Sequence, residues 1–183
     1  MTEWWQTLPE TLDRVWQLLG RGVADRRSAA RHPVLATTGA GGAEARVVVL
    51  RGADRAAGLL RAYADLRSAK VTELRADPRA TLLVWDAGAH LQMRLRVTVT
   101  VFPGSAADWA RVPPVSARVY GAKPAPGLPV ASPETVAFTP DGAMFGVLEC
   151  SLRGIETLHL GEDIHRRALF MPQNGWRGGW LSP

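Results

Sequence analysis

Residues 91–102 carry the clearest pattern of hydrophobic and polar positions in this chain. Apolar side chains occupy every second position from Leu91 to Val101, and polar or charged side chains such as Gln92 and Arg94 lie between them. Because successive side chains of a β-strand point to opposite faces, this alternation predicts a long strand of an antiparallel sheet with one buried face. Other β-forming runs are Pro33–Thr38, Ala45–Leu50, a short one ending near residues 62–64, Ala80–Trp85, Met144–Cys150, Gly154–Leu160, Ile164–Met171 and Trp176–Leu181.

Two helices are predicted beside these strands. In the first thirty residues, Leu12, Val15, Trp16 and Leu19 are spaced as one apolar face of a helix, which Thr7 is suited to cap. Ser68–Arg75 has the composition of a second helix, with Ser68 as its cap. Asp77-Pro78 then ends it, because proline disfavours a helical residue before it.

The order of these elements predicts the fold class. Gly39–Gly42 joins two β runs as a hairpin connection, and tight turns link later runs, whereas residues 103–142 are rich in proline and poor in periodicity. We find no internal repeat and no linker. We therefore expect one domain over residues 1–183, with 1–30 helical and the rest a mainly β, antiparallel barrel with peripheral helices.

Composition indicates in which cellular compartment the protein is expected. No apolar run approaches the roughly 18 to 20 residues that a membrane helix needs, and the first residues are acidic and aromatic, unlike a signal peptide. Cys150 is the single cysteine, which excludes an internal disulfide and suits a reducing compartment. We expect Cys150 to be a small buried hydrophobe, the protein to be cytoplasmic, and no membrane partner.

The net charge of +5 raises the question of a nucleic-acid partner. The positive charge comes from 20 arginines and only two lysines, and it is scattered without a basic run, so we disfavour this partner. The four histidines and Cys150 are too dispersed for a zinc site, and neither a GxSxG nor a GxxxxGK[ST] motif is present. The sequence therefore predicts no metal and no protein nucleophile.

The remaining candidates for a ligand site are basic residues, which lie at the ends of one β run and at the start of one helix. Arg46 and Arg51 flank Val47–Leu50, and because they are five positions apart they point to opposite faces of a regular strand. Arg67 and Lys70 flank Ser68, where helix N–H groups favour an anion such as a phosphate monoester. A capped surface helix with two solvated cations explains the same residues, and the pattern alone leaves both interpretations open.

Several blocks of the chain together resemble the pyridoxamine 5′-phosphate oxidase family, which has the FMN-binding split-barrel fold and is usually a homodimer. The resemblance covers about residues 32–183, and the Val115–Gly127 region is similar to the family's divergent, stress-related branch. The blocks that carry it are Arg46–Arg51, Tyr63–Lys70, Asp77–Trp85, Leu91–Arg94, Gly154–Leu158, Ile164–Arg167 and Trp176–Pro183.

The resemblance implies FMN as cofactor and assigns residues to it. It implies a phosphate grip of Arg67, Ser68 and Lys70, and an Arg167 that reaches the flavin across a dimer. The other implied FMN contacts are Arg46 at the phosphate or ribityl chain, Val47, Val48, Val49 and Leu50 through their backbone, Arg51 near the flavin, Tyr63 and Ala64 beside it, and Gln92 from the long strand.

Departures from the family pattern concern the substrate. Where the family has Arg-x-His-x-Arg, this chain has Asp163-Ile-His165-Arg-Arg167, and Leu158 replaces a tryptophan. An acid at position 163 repels a phosphorylated substrate, so His165 is a candidate contact to a different small molecule. We expect a flavin-dependent oxidoreductase that is not a true vitamin-B6 oxidase. The alternatives are a non-catalytic protein that binds flavin or tetrapyrrole and, less favoured, a basic nucleic-acid-binding barrel.

Overall fold

A computed structural model describes residues 3–183 and contains a nine-stranded antiparallel sheet. The strand order is β2-β1-β5-β6-β7-β4-β3, and β8 and β9 extend from β7. The strands are β1 (Val34–Gly39), β2 (Gly42–Val47), β3 (Leu50–Asp54), β4 (Leu59–Asp65), β5 (Arg79–Asp86), β6 (Leu91–Pro103), β7 (Phe145–Leu160), β8 (His165–Phe170) and β9 (Gly178–Leu181).

The longest pairing joins β6 to β7 and corrects one sequence prediction. The two runs expected at Met144–Cys150 and Gly154–Leu160 form one 16-residue strand. They remain continuous because Arg96 pairs with Gly154 while Val97 pairs with Leu152, which leaves Arg153 as an extra, bulged residue. A polar residue between two apolar runs therefore marks a bulge here and not a turn.

The run predicted as one strand at Ala45–Leu50 is instead divided. β2 ends at Val47, β3 begins at Leu50, and between them the buried Val48 donates its N–H to the carbonyl of Pro33 at 3.0 Å. Arg46 and Arg51 thus belong to different strands, and the argument that they share one strand with opposed faces is wrong. The β propensity of three successive valines does not reveal a bend in the backbone.

The alternation in β6 is confirmed by burial. Leu91, Met93 and Leu95 are completely buried in the main core, and Gln92 and Arg94 lie on the other face of the strand. Leu95 of β6 pairs with Leu82 of β5 on one side and with Ile155 of β7 on the other. One face of the sheet is therefore apolar across these three strands.

The first predicted helix is confirmed as α1 (Leu8–Ala24), and Thr7 caps it by accepting a hydrogen bond from the N–H of Glu10. The second is α2 (Ala69–Ala76). The proline-rich segment contains the short helices α3 (Ala106–Ala110) and α4 (Pro114–Ala117). Further along it, Ser132 precedes a 3-10 turn that ends at Thr135. Within residues 3–183, no helix is long and apolar enough to cross a membrane.

The segment of residues 104–144 packs over β4 and β7 and is held there by Asp65. The carboxylate of Asp65 accepts two hydrogen bonds from the Arg67 guanidinium, at 2.9 and 2.6 Å, and one from the N–H of Gly121. Gly121 has a φ of +105°, and a Cβ there would lie 2.4 Å from the carbonyl oxygen of Thr139, so only glycine fits. Tyr63, Tyr120 and Phe145 then form a second, aromatic core between the segment and the sheet.

The pKa of Asp65 gives this contact a pH dependence. Burial by itself raises the pKa, but the hydrogen bonds from Arg67 and Gly121 outweigh it and hold the pKa below its ordinary value. A carboxyl with a depressed folded pKa contributes stability above its unfolded pKa of about 3.9, and that contribution is lost as the pH falls through the folded value.

We predict that Asp65→Asn lowers the free energy of unfolding by about 2–3 kcal/mol at pH 7, because it leaves Arg67 without its partly buried partner. Urea unfolding followed by circular dichroism would measure this. The difference from wild type should shrink below about pH 4, where the wild-type carboxyl also becomes protonated.

Asp77→Asn provides the matched control. Asp77 and Arg79 repeat the same Asp-x-Arg geometry, and hydrogen bonds from Arg79 lower the pKa of Asp77 to about 2, but the guanidinium is solvent-exposed. Exposed pairs contribute little, so this variant should be much closer to wild type. Equal losses in the two variants would contradict an anchoring role for Asp65.

Candidate functional site

Lys70 is a half-buried cation at the start of α2. Its ammonium donates to the hydroxyl of Ser68 at 3.2 Å, and no carboxylate lies within ion-pair distance of it in the described structure. Burial lowers the pKa of Lys70, and the positive charge of Arg46 lowers it further, against the opposing effect of Asp65 and Glu73. A desolvated cation beside a second cation is stabilised by an anion, so this is the best candidate anion site of the chain.

Ser68 occupies the N-cap position of α2 but does not cap it. Its hydroxyl donates to the carbonyl of Asp65 at 2.6 Å and accepts from Lys70, and its side chain forms no bond to the helix N–H groups. The expectation of a serine side-chain cap is therefore wrong. The first turn is instead closed through the backbone, where the N–H of Val71 donates to the Ser68 carbonyl at 2.9 Å.

Arg46 joins this site from β2. Its guanidinium donates to Glu73 of α2 at 2.8 Å and to the hydroxyl of Thr37. Thr37 also donates to Glu73 at 2.6 Å, so the three side chains form one network between the β1–β2 hairpin and the helix. Arg46 is thus brought next to Lys70, as the sequence blocks implied, but it already has a carboxylate partner.

Arg67 is placed differently from its neighbours in sequence. Its guanidinium is taken up by Asp65, as described above, and by the carbonyl of Ala122 at 3.0 Å. The hydrogen bonds raise the pKa of Arg67 and fix its side chain toward residues 104–144. Its assignment to a phosphate grip stays a prediction, and in this structure its guanidinium is bound by Asp65 and Ala122.

Arg51 lies on β3 beside Tyr63 of β4. Its guanidinium carbon is 5.6 Å from the centre of the tyrosine ring, and its buried Nε has no hydrogen-bond partner. Ala64 and Leu50 are core residues, Val48 is buried, and Val47 is strongly exposed. Among these residues, Arg51 offers an unsatisfied donor, and Val47 offers an apolar surface.

Gln92 and Arg167 are brought together on the outer face of the sheet. In register across five strands lie Trp85, Gln92, Leu158, Arg167 and Leu181. Directly opposed residues of antiparallel strands share one face, so this is a continuous row. The core row that contains Leu82 and Leu95 lies on the opposite face, and its next members across β1 and β2 are Leu35 and Arg46.

Glu156 is a site residue that the sequence analysis missed. It is 4% exposed, and its carboxylate binds Arg94, Arg96 and Arg167 at 3.0, 3.1 and 2.6 Å. Burial opposes ionisation, but the three guanidinium groups outweigh it and lower the pKa of Glu156. The only sequence signal was an acid inside a β run, and it becomes informative once the pairing of Arg94 with Glu156 is known.

His165 and Asp163 are exposed at the turn between β7 and β8, and His165 precedes Arg167 by two positions on the same strand. Cys150 is confirmed as buried, and desolvation raises the pKa of its thiol to about 12, which suppresses the reactive thiolate. No group of three His, Cys, Asp or Glu residues positioned for a metal ion occurs among the described residues.

None of the residues named for the cofactor lines any of three cavities of the described structure. These cavities lie at the N-terminal segment, beside β1, β5 and β6, and between the β1–β2 turn and α2. The second reaches the Arg46 network through Thr37, and the last, of about 600 Å³, reaches it through Glu73. Lys70, Arg51 and Tyr63 line none of the three.

Comparison with known proteins gives a family match. The family model for the FMN-binding domain of pyridoxamine 5′-phosphate oxidase matches residues 3–103, which is more than half of the chain. A search of curated proteins found no significant match.

Solved structures agree with the fold. A pyridoxamine 5′-phosphate oxidase-related, FMN-binding protein from Nostoc punctiforme is 24% identical with a TM-score of 0.76, covering 93% of this chain and 96% of its own. PhzG from Burkholderia lata, in complex with tetrahydrophenazine-1-carboxylic acid, is 20% identical with a TM-score of 0.72 and coverages of 96% and 92%. General Stress Protein 26 from Bacillus anthracis is 11% identical, with a TM-score of 0.55 and coverages of 79% and 93%. The expected antiparallel split barrel is confirmed.

The buried charge of Lys70 leads to a prediction about the ligand-free protein. A lysine with a depressed folded pKa destabilises the fold while it is charged, so Lys70→Met should raise the melting temperature of the free protein by about 1–3 °C near pH 7. The gain should diminish as the pH rises through the folded pKa of Lys70, because the wild-type side chain then loses its charge.

Differential scanning calorimetry with cofactor removed would measure this, and Lys123→Met is the matched control. Lys123 is the other lysine of the chain and is exposed. If both variants are stabilised equally, or if Lys70→Met is less stable than wild type, the charge of Lys70 does not destabilise the free protein.

Proposed function

Because this chain belongs to the pyridoxamine 5′-phosphate oxidase family through its FMN-binding domain, we propose that it binds FMN as a homodimer. We propose further that it oxidises or reduces a small molecule whose identity is open. The observation that carries the proposal is Lys70, a desolvated cation with a hydroxyl neighbour and no carboxylate partner in the described structure.

The local charge balance supports a phosphate at this position. Arg46 and Arg67 are paired with the largely buried Glu73 and Asp65, and Arg46 also lies 3.9 Å from the exposed Glu44, whereas Lys70 has no carboxylate within ion-pair distance in the described residues. A phosphate monoester would satisfy Lys70 and compete with Glu73 for Arg46. Since Lys70 is partly buried and unpaired in the described residues, the bound anion would gain more than at a solvated surface.

The unsatisfied Nε of Arg51 supports a second contact to the same cofactor. A polar group of FMN near Tyr63 would accept from this buried donor and remove the cost of leaving it unpaired. Together with Arg46, Ser68 and Lys70, these residues would bind and orient the cofactor. Val47–Leu50 would contribute backbone groups and, at Val47, an exposed apolar surface.

When bound, FMN supplies two-electron chemistry at its isoalloxazine ring, and the protein supplies binding, orientation and electrostatics. Arg51 and the Arg167–Glu156 pair would set the charge beside the ring. Glu156 fixes Arg167 through two hydrogen bonds, at 2.6 and 3.0 Å, so the guanidinium is oriented before any ligand arrives. Cys150, buried and protonated, takes no part.

The homodimer is supported by the positions of the predicted contacts. Arg46 ends the core-facing row, whereas Gln92 and Arg167 lie on the outer face, so residues on both faces can meet one flavin only if a second copy supplies some of them. The outer row also exposes Trp85 and Leu181 by 47% and 41%, an apolar surface suited to burial against a partner.

The residues near His165 support a substrate without a phosphate group. Asp163 is exposed two residues before His165, and its negative charge would repel a phosphate. His165 would donate to or accept from a neutral or cationic substrate. We therefore propose that pyridoxine and pyridoxamine phosphates are poor substrates.

A non-catalytic flavin or tetrapyrrole carrier is the closest alternative, and turnover separates it from an enzyme. The nucleic-acid alternative is weakened by ion pairing: ten of the 20 arginines pair with carboxylates in the described residues, including all three on Glu156. Paired arginines release fewer counterions from a nucleic-acid backbone.

We predict that the purified protein binds FMN, with the absorbance of an enclosed flavin and a quenched flavin fluorescence. Lys70→Met should weaken FMN binding by about 10- to 100-fold, the loss of a charge-assisted contact of about 1.5–3 kcal/mol. Lys123→Met should bind as wild type. Protein that neither contains nor takes up FMN would refute the proposal, and FMN that is never reduced and reoxidised in turnover would favour the carrier.

We predict that Trp85→Arg converts the protein to a monomer and weakens FMN binding at least tenfold, because the charge prevents burial of the outer row. Sedimentation velocity would measure the mass, and absorbance titration the affinity. Val115→Arg, at an exposed apolar residue of the 104–144 segment, is the control and should stay dimeric. A wild-type monomer that binds FMN tightly would contradict the shared site.

A further inference from the structure

A cavity at the N-terminal end of the chain is separate from all the residues assigned to FMN. It has a volume of about 620 Å³ and lies between residues 3–5, α1, the β5–β6 turn and the β7–β8 turn. This volume is within the range of small-molecule sites, about 300–1,000 Å³. Its lining includes Trp4, Trp5, Arg14, His90, His159 and Arg166.

Two buried polar atoms at this cavity have no hydrogen-bond partner. They are Nε of Arg14 and Nδ1 of His159, and the described structure contains only four such side-chain atoms. His159 is 6% exposed, so most of its ring is removed from water. Buried polar groups are ordinarily satisfied, and two unsatisfied groups at one cavity indicate a polar ligand.

The wall beside these atoms is aromatic. The ring of Trp5 stacks on His159 with centres 4.6 Å apart, and Trp4 meets the same imidazole edge-on at 5.2 Å. The Arg14 guanidinium lies over the Trp4 ring at 5.8 Å. Both tryptophans are half-buried, so they keep exposed ring surface on which a planar ligand can stack.

The cavity lining carries two guanidinium groups and three carboxylates, so it suits an anion of single charge that the arginines hold directly. Arg14 and Arg166 are partly buried cations, while burial, with the positive charge of Arg166, lowers the pKa of His159 and favours the neutral imidazole. Three acids, Glu3, Glu162 and Asp163, are exposed at the rim. Inner arginines attract a carboxylate, and the acidic rim opposes the second charge of a phosphate.

We propose that this cavity binds the carboxylate of a planar aromatic acid, held by Arg14 and Arg166 and stacked against Trp4 and Trp5. It is separate from the flavin site, because none of the residues assigned to FMN lines it, and it shares only Asp163 with the residues proposed to face the substrate. The inference does not depend on flavin binding, because it rests only on the unsatisfied atoms, the aromatic wall and the charges of this cavity.

The test uses 2-naphthoate as the probe and the full chain with ¹⁵N-labelled tryptophan. We expect saturable shifts of the indole N–H signals of Trp4 and Trp5, with those of Trp85 and Trp180 unchanged. The neutral 2-naphthalenemethanol should bind at least tenfold more weakly. Absence of saturable shifts at Trp4 and Trp5, or equal affinity for the alcohol, would overturn the proposal.

Variants then test the two cations. Arg14→Gln and Arg166→Gln should each weaken naphthoate binding at least tenfold, while Arg27→Gln, at an exposed arginine on another surface, should not. An effect of one variant alone still supports the site and identifies the arginine that holds the carboxylate. No effect of either would overturn it, and the wild-type shifts keep the proposal testable if a variant fails to fold.

A titration in saturating FMN separates this site from the flavin site. We expect the naphthoate affinity to change by less than twofold, whereas direct competition would place naphthoate in the flavin site and refute a second site. If the protein takes up no FMN, the proposed function fails, but shifts at Trp4 and Trp5 would still support this inference.

Discussion

The pairing of β6 with β7 is the constraint on which the other parts of the molecule depend. It joins a 13-residue strand to a 16-residue strand, and every further strand attaches to one of them directly or through a neighbour. One face of the pair is apolar and forms the core. The other face carries Gln92, Arg94 and Glu156, so the alternation that builds the fold also places the polar groups of the outer surface.

Ion pairing decides which of the many basic residues remain available to a ligand. Glu156 holds three arginines, Asp65 holds Arg67, and Glu73 holds Arg46, each at a position where the carboxylate is largely buried. Such carboxylates need their partners, because an unpaired buried charge is costly. Lys70 has no such partner in the described residues, which is why the proposed anion contact centres on it and not on an arginine.

Sequence reasoning was accurate where a local signal suffices. Strand alternation at Leu91–Val101, the apolar face of α1 and the Thr7 cap follow from nearest-neighbour geometry, and the structure confirms all three. It was wrong where the backbone departs from a regular element. Three valines concealed the break after Val47. The runs predicted separately at Met144–Cys150 and Gly154–Leu160 are one strand with a bulge at Arg153, which the composition of the runs does not reveal.

The sequence by itself therefore determined an antiparallel sheet, its helices and the family blocks that imply FMN, since periodicity and motifs are properties of neighbouring residues. Only the tertiary structure decided what each cation does. Arg67 and Lys70 are three positions apart, yet one is bound by Asp65 and Ala122 and the other is left with Ser68. Asp65 is a sequence neighbour of both cations, but the Ala122 carbonyl that binds Arg67 and the Gly121 N–H that binds Asp65 come from a segment more than 50 positions away. Packing of that segment, and not order along the chain, therefore decides which cation is held and which is left.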